Sequence, residues 1–199
     1  MNPVIRIWLA FAAIGAALIH LAVGASAPLP LAIILVGLGI AELGWGVATL
    51  VRGRTVMQDA TIALALVPVF VWGVTATLGS GLGVSADSTG LPFYPMAIAS
   101  LFDITLSAAL AIFRRRGTRR ATAGADVTGK PAAAEPARSE PPVELPAWRF
   151  LATLMIGSVL FSGLTTSALA ATEAGAHAVP HGTHSTPAPG SPPATHSGH

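Results

Sequence analysis

Cysteine is absent from the chain, and charge is scarce, with 10% of residues being Asp, Glu, Lys or Arg. The first absence excludes disulfides, thiolate metal sites, haem attachment through CxxCH and cysteine nucleophiles. The second excludes an ordinary soluble domain, in which roughly a quarter of residues are charged. There is no phosphate-cradling glycine loop, no HExxH pair and no nucleophile elbow. Gly79, Gly81 and Gly83 lead out of an apolar run into a short loop, not from a strand into a helix, so they are not a nucleotide fingerprint. Arginine is not interleaved with aromatic residues, which excludes a nucleic-acid surface. The chain therefore reads as non-enzymatic.

What is present is apolar: 52% of the residues are hydrophobic. They are gathered into five blocks, near residues 7–25, 29–51, 60–82, 91–113 and 150–171. Each block has about the 20 residues needed to cross roughly 30 Å of hydrocarbon as a helix. Arg6 and Trp8 precede the first block, and no cleavage pattern follows it, so it reads as a retained span rather than a leader. A turn over residues 26–30 makes the first two spans an antiparallel hairpin. Pro68 lies inside the third and predicts a kink. Pro92, Phe93, Tyr94 and Pro95 open the fourth with an interfacial aromatic anchor.

The expected fold is an all-α integral membrane protein, with a four-helix transmembrane core over residues 1–113. A disordered basic-to-acidic linker over 114–147, a fifth C-terminal transmembrane helix over 148–171 and a disordered His-rich tail over 172–199 complete it. In the linker, Ala, Pro and charge leave too little apolar surface to order the backbone. The fifth span has a second reading as a late signal sequence, because Ala168-Leu169-Ala170 matches the Ala-x-Ala pattern and cleavage would follow Ala170.

Every Lys and Arg falls before span one, between spans two and three, or between spans four and five. The other connections and the tail have none. The positive-inside rule then places the amino terminus in the cytoplasm and the carboxyl terminus outside. The run Arg114, Arg115, Arg116, Arg119 and Arg120 reads first as a stop-transfer signal, and second as a site for anionic lipid headgroups.

Three acid or imidazole side chains interrupt the apolar blocks: His20, Glu42 and Asp103. A charge at mid-bilayer costs about 2.5–3.5 kcal/mol on the insertion scale, so such residues need a partner, water or a proton. Glu42 and Asp103 lie some 10 to 13 residues from the outer ends of their spans, about 16–19 Å deep. At equal depth on parallel spans they can meet and share a proton. His20 lies about one turn from the outer face, so it is expected to reach Glu42 only through a water chain or a thinned leaflet. One reading is a proton or cation relay, with hydroxyls from Ser100, Thr105 and Ser107. The other is structural, each group bonding to a neighbouring helix or to headgroup water. Gly37, Ala41 and Gly44, with Gly39 and Gly46, predict close packing of span two in the bundle or against a partner.

The tail holds His177, His181, His184, His196 and His199 among Pro, Ser, Thr and Gly. Neutral imidazole at these spacings suits weak capture of Cu, Ni or Zn by a flexible chain. The bland reading is a low-complexity stalk.

The first four spans resemble small multi-spanning membrane proteins of high-GC bacteria, actinobacteria above all. The likeness rests on Ile19-His20-Leu21, the short Pro-containing turn, and a glycine-rich second span with a polar residue. Glu42 stands where that likeness leads one to expect glutamine. The resemblance implies a bacterial plasma membrane and brings no activity with it.

Two functions follow as expectations. The first is a membrane component that handles transition metals or moves cations, with a metal-capturing extracytoplasmic tail. The second is an accessory subunit of a larger membrane complex such as a respiratory assembly. A membrane-embedded enzyme ranks third.

Overall fold

The computed structural model describes residues 2–55, 57–81, 91–125 and 146–178. The described residues are helical, without strands, and form α1 (Pro3–Ser26), α2 (Leu29–Arg52), α3 (Gln58–Gly81), α4 (Phe93–Ala125), α5 (Ala147–Ala170) and the single turn α6 (Glu173–Ala176). Five of these helices are long and apolar enough to cross a membrane.

The local chemistry sets the ends. The Asn2 side chain accepts a hydrogen bond from the Val4 amide at 2.9 Å, and Pro3 supplies a first-turn residue with no amide to satisfy. Gly53 ends α2 with φ +62°, a left-handed conformation that favours glycine. Thr172 caps α6 by accepting from the Gly175 amide at 3.1 Å. Helix α3 runs through Pro68 without a break.

Helix α1 is the hub, packed against α2, α4 and α5. Its buried face is mostly alanine and glycine: Ala10, Ala12, Ala13, Gly15, Ala16, Ala17 and Gly24. Small side chains let neighbouring backbones come close. On α2, Gly39 faces the Ala17 carbonyl and Leu21, and Gly46 faces the Ala10 carbonyl and Ile14. A Cβ at Gly39 would meet Leu21 at 2.8 Å and the Ala17 oxygen at 2.9 Å. Both pairs repeat at seven residues, the seam of two helices at a shallow crossing. The glycines of α2 thus divide in function. Gly39 and Gly46 make the α1 contact, whereas Gly37 and Gly44 have nothing within 4 Å.

Helix α5 runs parallel to α1. Trp8 lies against Gly157, the Phe11 and Phe161 rings are 6.5 Å apart, and Gly15 lies beside Thr165. Phe161 also meets Phe102 at 5.5 Å. Helices α3 and α4 are antiparallel, tied by Trp72–Phe93 at 5.4 Å and by Arg114–Asp59 at 2.8 Å. The Arg6 guanidinium comes within 3.9 Å of the Cβ position of Gly53. Successive long helices therefore alternate in direction, and Arg6, Arg52, Arg114 and Arg149 collect at one end of the bundle.

Two boundaries differ from the sequence reading. The linker expected to be disordered from residue 114 begins as helix, because α4 continues to Ala125. Ala and Arg are strong helix formers, and Arg114 is paired with Asp59. The tail expected to be disordered from residue 172 begins with α6, which lies against α1. Residues 126–145 and 179–199, which hold the rest of both segments, lie outside the described residues. Ala168, in the Ala-x-Ala pattern, is fully buried in the cluster that includes Ile19 and Ala16.

Candidate functional site

His20, Glu42 and Asp103 come from three different helices and meet in the core. His20 and Asp103 are fully buried and Glu42 is 4% exposed. His20 Nδ1 and Glu42 Oε2 share a hydrogen bond of 2.9 Å. The other ring nitrogen, Nε2, lies 3.7 Å from Asp103 Oδ2, too long for a hydrogen bond. One ligand-type atom from each of the three residues lies within 4.8 Å of the others.

The direct His20–Glu42 contact overturns the expectation that His20 would need a water chain or a thinned leaflet. Two features close the gap. Gly24 of α1 faces Leu35 and Val36, so the first turn of α2 overhangs the end of α1 and carries Glu42 outward relative to His20. By the same register Glu42 lies near the level of Ala16, four residues or about 6 Å below His20. In addition, Cα–Cβ bonds tilt toward a helix's own N-terminus. In antiparallel α1 and α2 that tilts His20 down and Glu42 up. Asp103 on α4, antiparallel to α1, leans toward His20 in the same way.

The hydroxyls expected nearby part company. Thr105 is exposed and donates to the Leu101 carbonyl of its own helix at 2.7 Å. Ser107 points to α3, donating to the Ile62 carbonyl at 3.5 Å. Ser100 is buried one turn before Asp103, and its Oγ has no hydrogen-bond partner among the described residues. The same is true of His20 Nε2, Glu42 Oε1 and both Asp103 oxygens.

The sequence reading missed a cavity of about 350 Å³ between α2 and α3 that reaches Glu42. Ala41, Ala48, Ala60 and Thr61 line it, and Arg52 and Met57 stand at its arginine-rich end. Small residues on the facing sides of two loosely packed helices leave this space. Only their pairing in three dimensions reveals it.

Of the tail histidines, His177 is exposed at the end of α6, its Nδ1 donating to the Glu173 carbonyl at 2.9 Å. His181, His184, His196 and His199 lie outside the described residues. Comparison with protein-family models, with curated proteins and with solved structures finds no match.

Proposed function

We propose that this chain is a bacterial plasma-membrane protein whose His20–Glu42–Asp103 cluster carries a proton or another cation through the core of a five-helix bundle. The observation that carries this reading is the convergence of the three titratable groups, all buried, with four of their polar atoms lacking a hydrogen-bond partner among the described residues. Unpaired buried polar atoms cost about 1–3 kcal/mol each. A purely structural cluster would be expected to satisfy them. The cavity below Glu42 supports the reading, since it gives water or an ion space beside the carboxylate.

The arginine-rich end is the cytoplasmic end, by the positive-inside rule. The carboxyl tail then leaves on the extracytoplasmic side, where its histidines capture Cu, Ni or Zn for the membrane core. The helical arginines from Arg114 onward lie at the cytoplasmic surface against anionic headgroups.

Purified full-length protein in liposomes tests this. Under an imposed potential, protein-containing vesicles should show a proton or cation flux above empty vesicles, and Glu42→Gln and Asp103→Asn should each reduce it at least tenfold. Flux that is absent, or unchanged in both variants, counts against the reading.

A second reading is an accessory subunit of a larger membrane assembly. In its favour, Gly37, Ala41 and Gly44 form an exposed row of small residues on α2, the kind of surface on which another helix packs. Stoichiometric co-purification with a larger complex from native membranes, unaffected by Glu42→Gln, favours this alternative.

A further inference from the structure

We propose that His20, Glu42 and Asp103 together ligate one divalent first-row transition-metal ion, of the Mn(II), Fe(II), Co(II) or Zn(II) class. This rests on the reading of the cluster as cation-handling, and names the cation.

The hydrogen bond at Nδ1 is the first argument. Nδ1 of His20 lies 2.9 Å from Glu42 Oε2, so one carboxyl oxygen is already beside the ring. The other ring nitrogen, Nε2, lies 3.7 Å from Asp103 Oδ2. That spacing is close to the edge of a tetrahedron with metal–ligand bonds of about 2.0–2.2 Å, roughly 3.4 Å.

The second argument is the unpartnered atoms. His20 Nε2, Glu42 Oε1 and both Asp103 oxygens are buried without a hydrogen bond among the described residues. A single cation can take one ligand atom from each of the three residues. Ligand atoms on opposite sides of one ion lie at most about 4.2–4.4 Å apart. One ligand atom from each residue lies within 4.8 Å of the others, so closing onto one ion takes about half an ångström for an opposed pair and about 1.4 Å for a tetrahedral edge.

Charge is the third. In the metal-bound state two carboxylates and an imidazole lone pair bring two negative charges, which one divalent ion cancels in a low-dielectric core. Ligand type narrows the ion: one nitrogen and carboxylate oxygens, with no thiolate, favour Mn, Fe, Co or Zn over Cu(I). The cavity beside Glu42 leaves room for water to complete the coordination sphere.

The test uses full-length protein in mild detergent with His177, His181, His184, His196 and His199 replaced by serine, so that the tail contributes nothing. Equilibrium dialysis against Mn(II), Co(II) or Zn(II) should give one bound ion per chain. His20→Gln and Asp103→Asn should each weaken binding at least about 100-fold, more than the roughly 10–100-fold lost with an outer-shell partner. Where a variant does not fold, pulsed electron paramagnetic resonance of the Mn(II)-loaded parent with 15N-labelled histidine should show one coordinated imidazole nitrogen. No binding of any of the three ions, binding unchanged in both variants, or Mn(II) without a nitrogen ligand overturns the assignment. Flux in metal-free liposomes that Glu42→Gln abolishes, together with no metal binding, leaves the proton relay standing and removes the metal. Metal binding without flux does the reverse.

Discussion

His20 and Glu42 lean toward each other across an antiparallel helix pair, so that Nδ1 of one and Oε2 of the other lie 2.9 Å apart although their backbones sit about one turn out of register. The lean is a consequence of helix direction alone. It holds for any histidine on the outer side and any long acid on the inner side of such a pair. Asp103 joins from α4 by the same rule.

If the cluster were structural, losing one member would cost stability and losing all three would cost more. Buried ionic groups behave otherwise. Removing one partner costs about 3–5 kcal/mol because charges are stranded, while replacing the whole set with apolar residues is neutral or stabilising by about 1–4 kcal/mol. His20→Ala should therefore lower the apparent Tm in detergent. The triple variant His20→Leu, Glu42→Leu, Asp103→Leu should match or exceed the parent. A triple variant less stable than His20→Ala would make the cluster a structural device.

Packing of α2 on α1 should depend on Gly39 and not on Gly44. A side chain at Gly39 meets the Ala17 carbonyl and Leu21, whereas Gly44 has open space around it. Gly39→Leu should shift apparent Tm downward strongly, by the overpacking cost of about 1–3 kcal/mol or more. Gly44→Leu should stay within about 0.5 kcal/mol of the parent. Thermal unfolding followed by tryptophan fluorescence compares them.

The Arg114–Asp59 pair, 2.8 Å long but exposed at both ends, should contribute little. Asp59→Asn should change stability by less than about 1 kcal/mol, and less still at high salt. A larger loss would mean that α3 and α4 rely on this contact rather than on Trp72, Phe93 and Ser107.

Orientation can be read directly because the chain has no cysteine. Single cysteines at Arg54 and Arg116 should react with an impermeant maleimide only after cells are opened. One at Ser26 should react in intact cells. The reverse pattern would invert the bundle.

Five apolar helices and the alternation of their directions were legible in the sequence, since block length and the placement of arginine both respond to lipid. Counting from span ends also pointed to a meeting of Glu42 and Asp103, whose ligand atoms lie within 4.8 Å of each other. The reach of His20 was not legible. It depends on the overhang of α2 beyond α1, set by Gly24 against Leu35 and Val36, and on side-chain tilt, neither of which appears in a residue count. The division of the α2 glycines also needed coordinates. Gly37, Gly39, Gly44 and Gly46 look alike in sequence, and only the seven-residue seam with Ala10 and Ala17 separates them.

The account turns on whether the three core side chains move charge. The decisive measurement is flux across liposomes containing the triple variant His20→Leu, Glu42→Leu, Asp103→Leu beside the parent, at equal protein content and under the same imposed potential. Flux at the level of empty vesicles in the folded triple variant, with the parent well above it, is the predicted result. Equal flux in both would contradict the account.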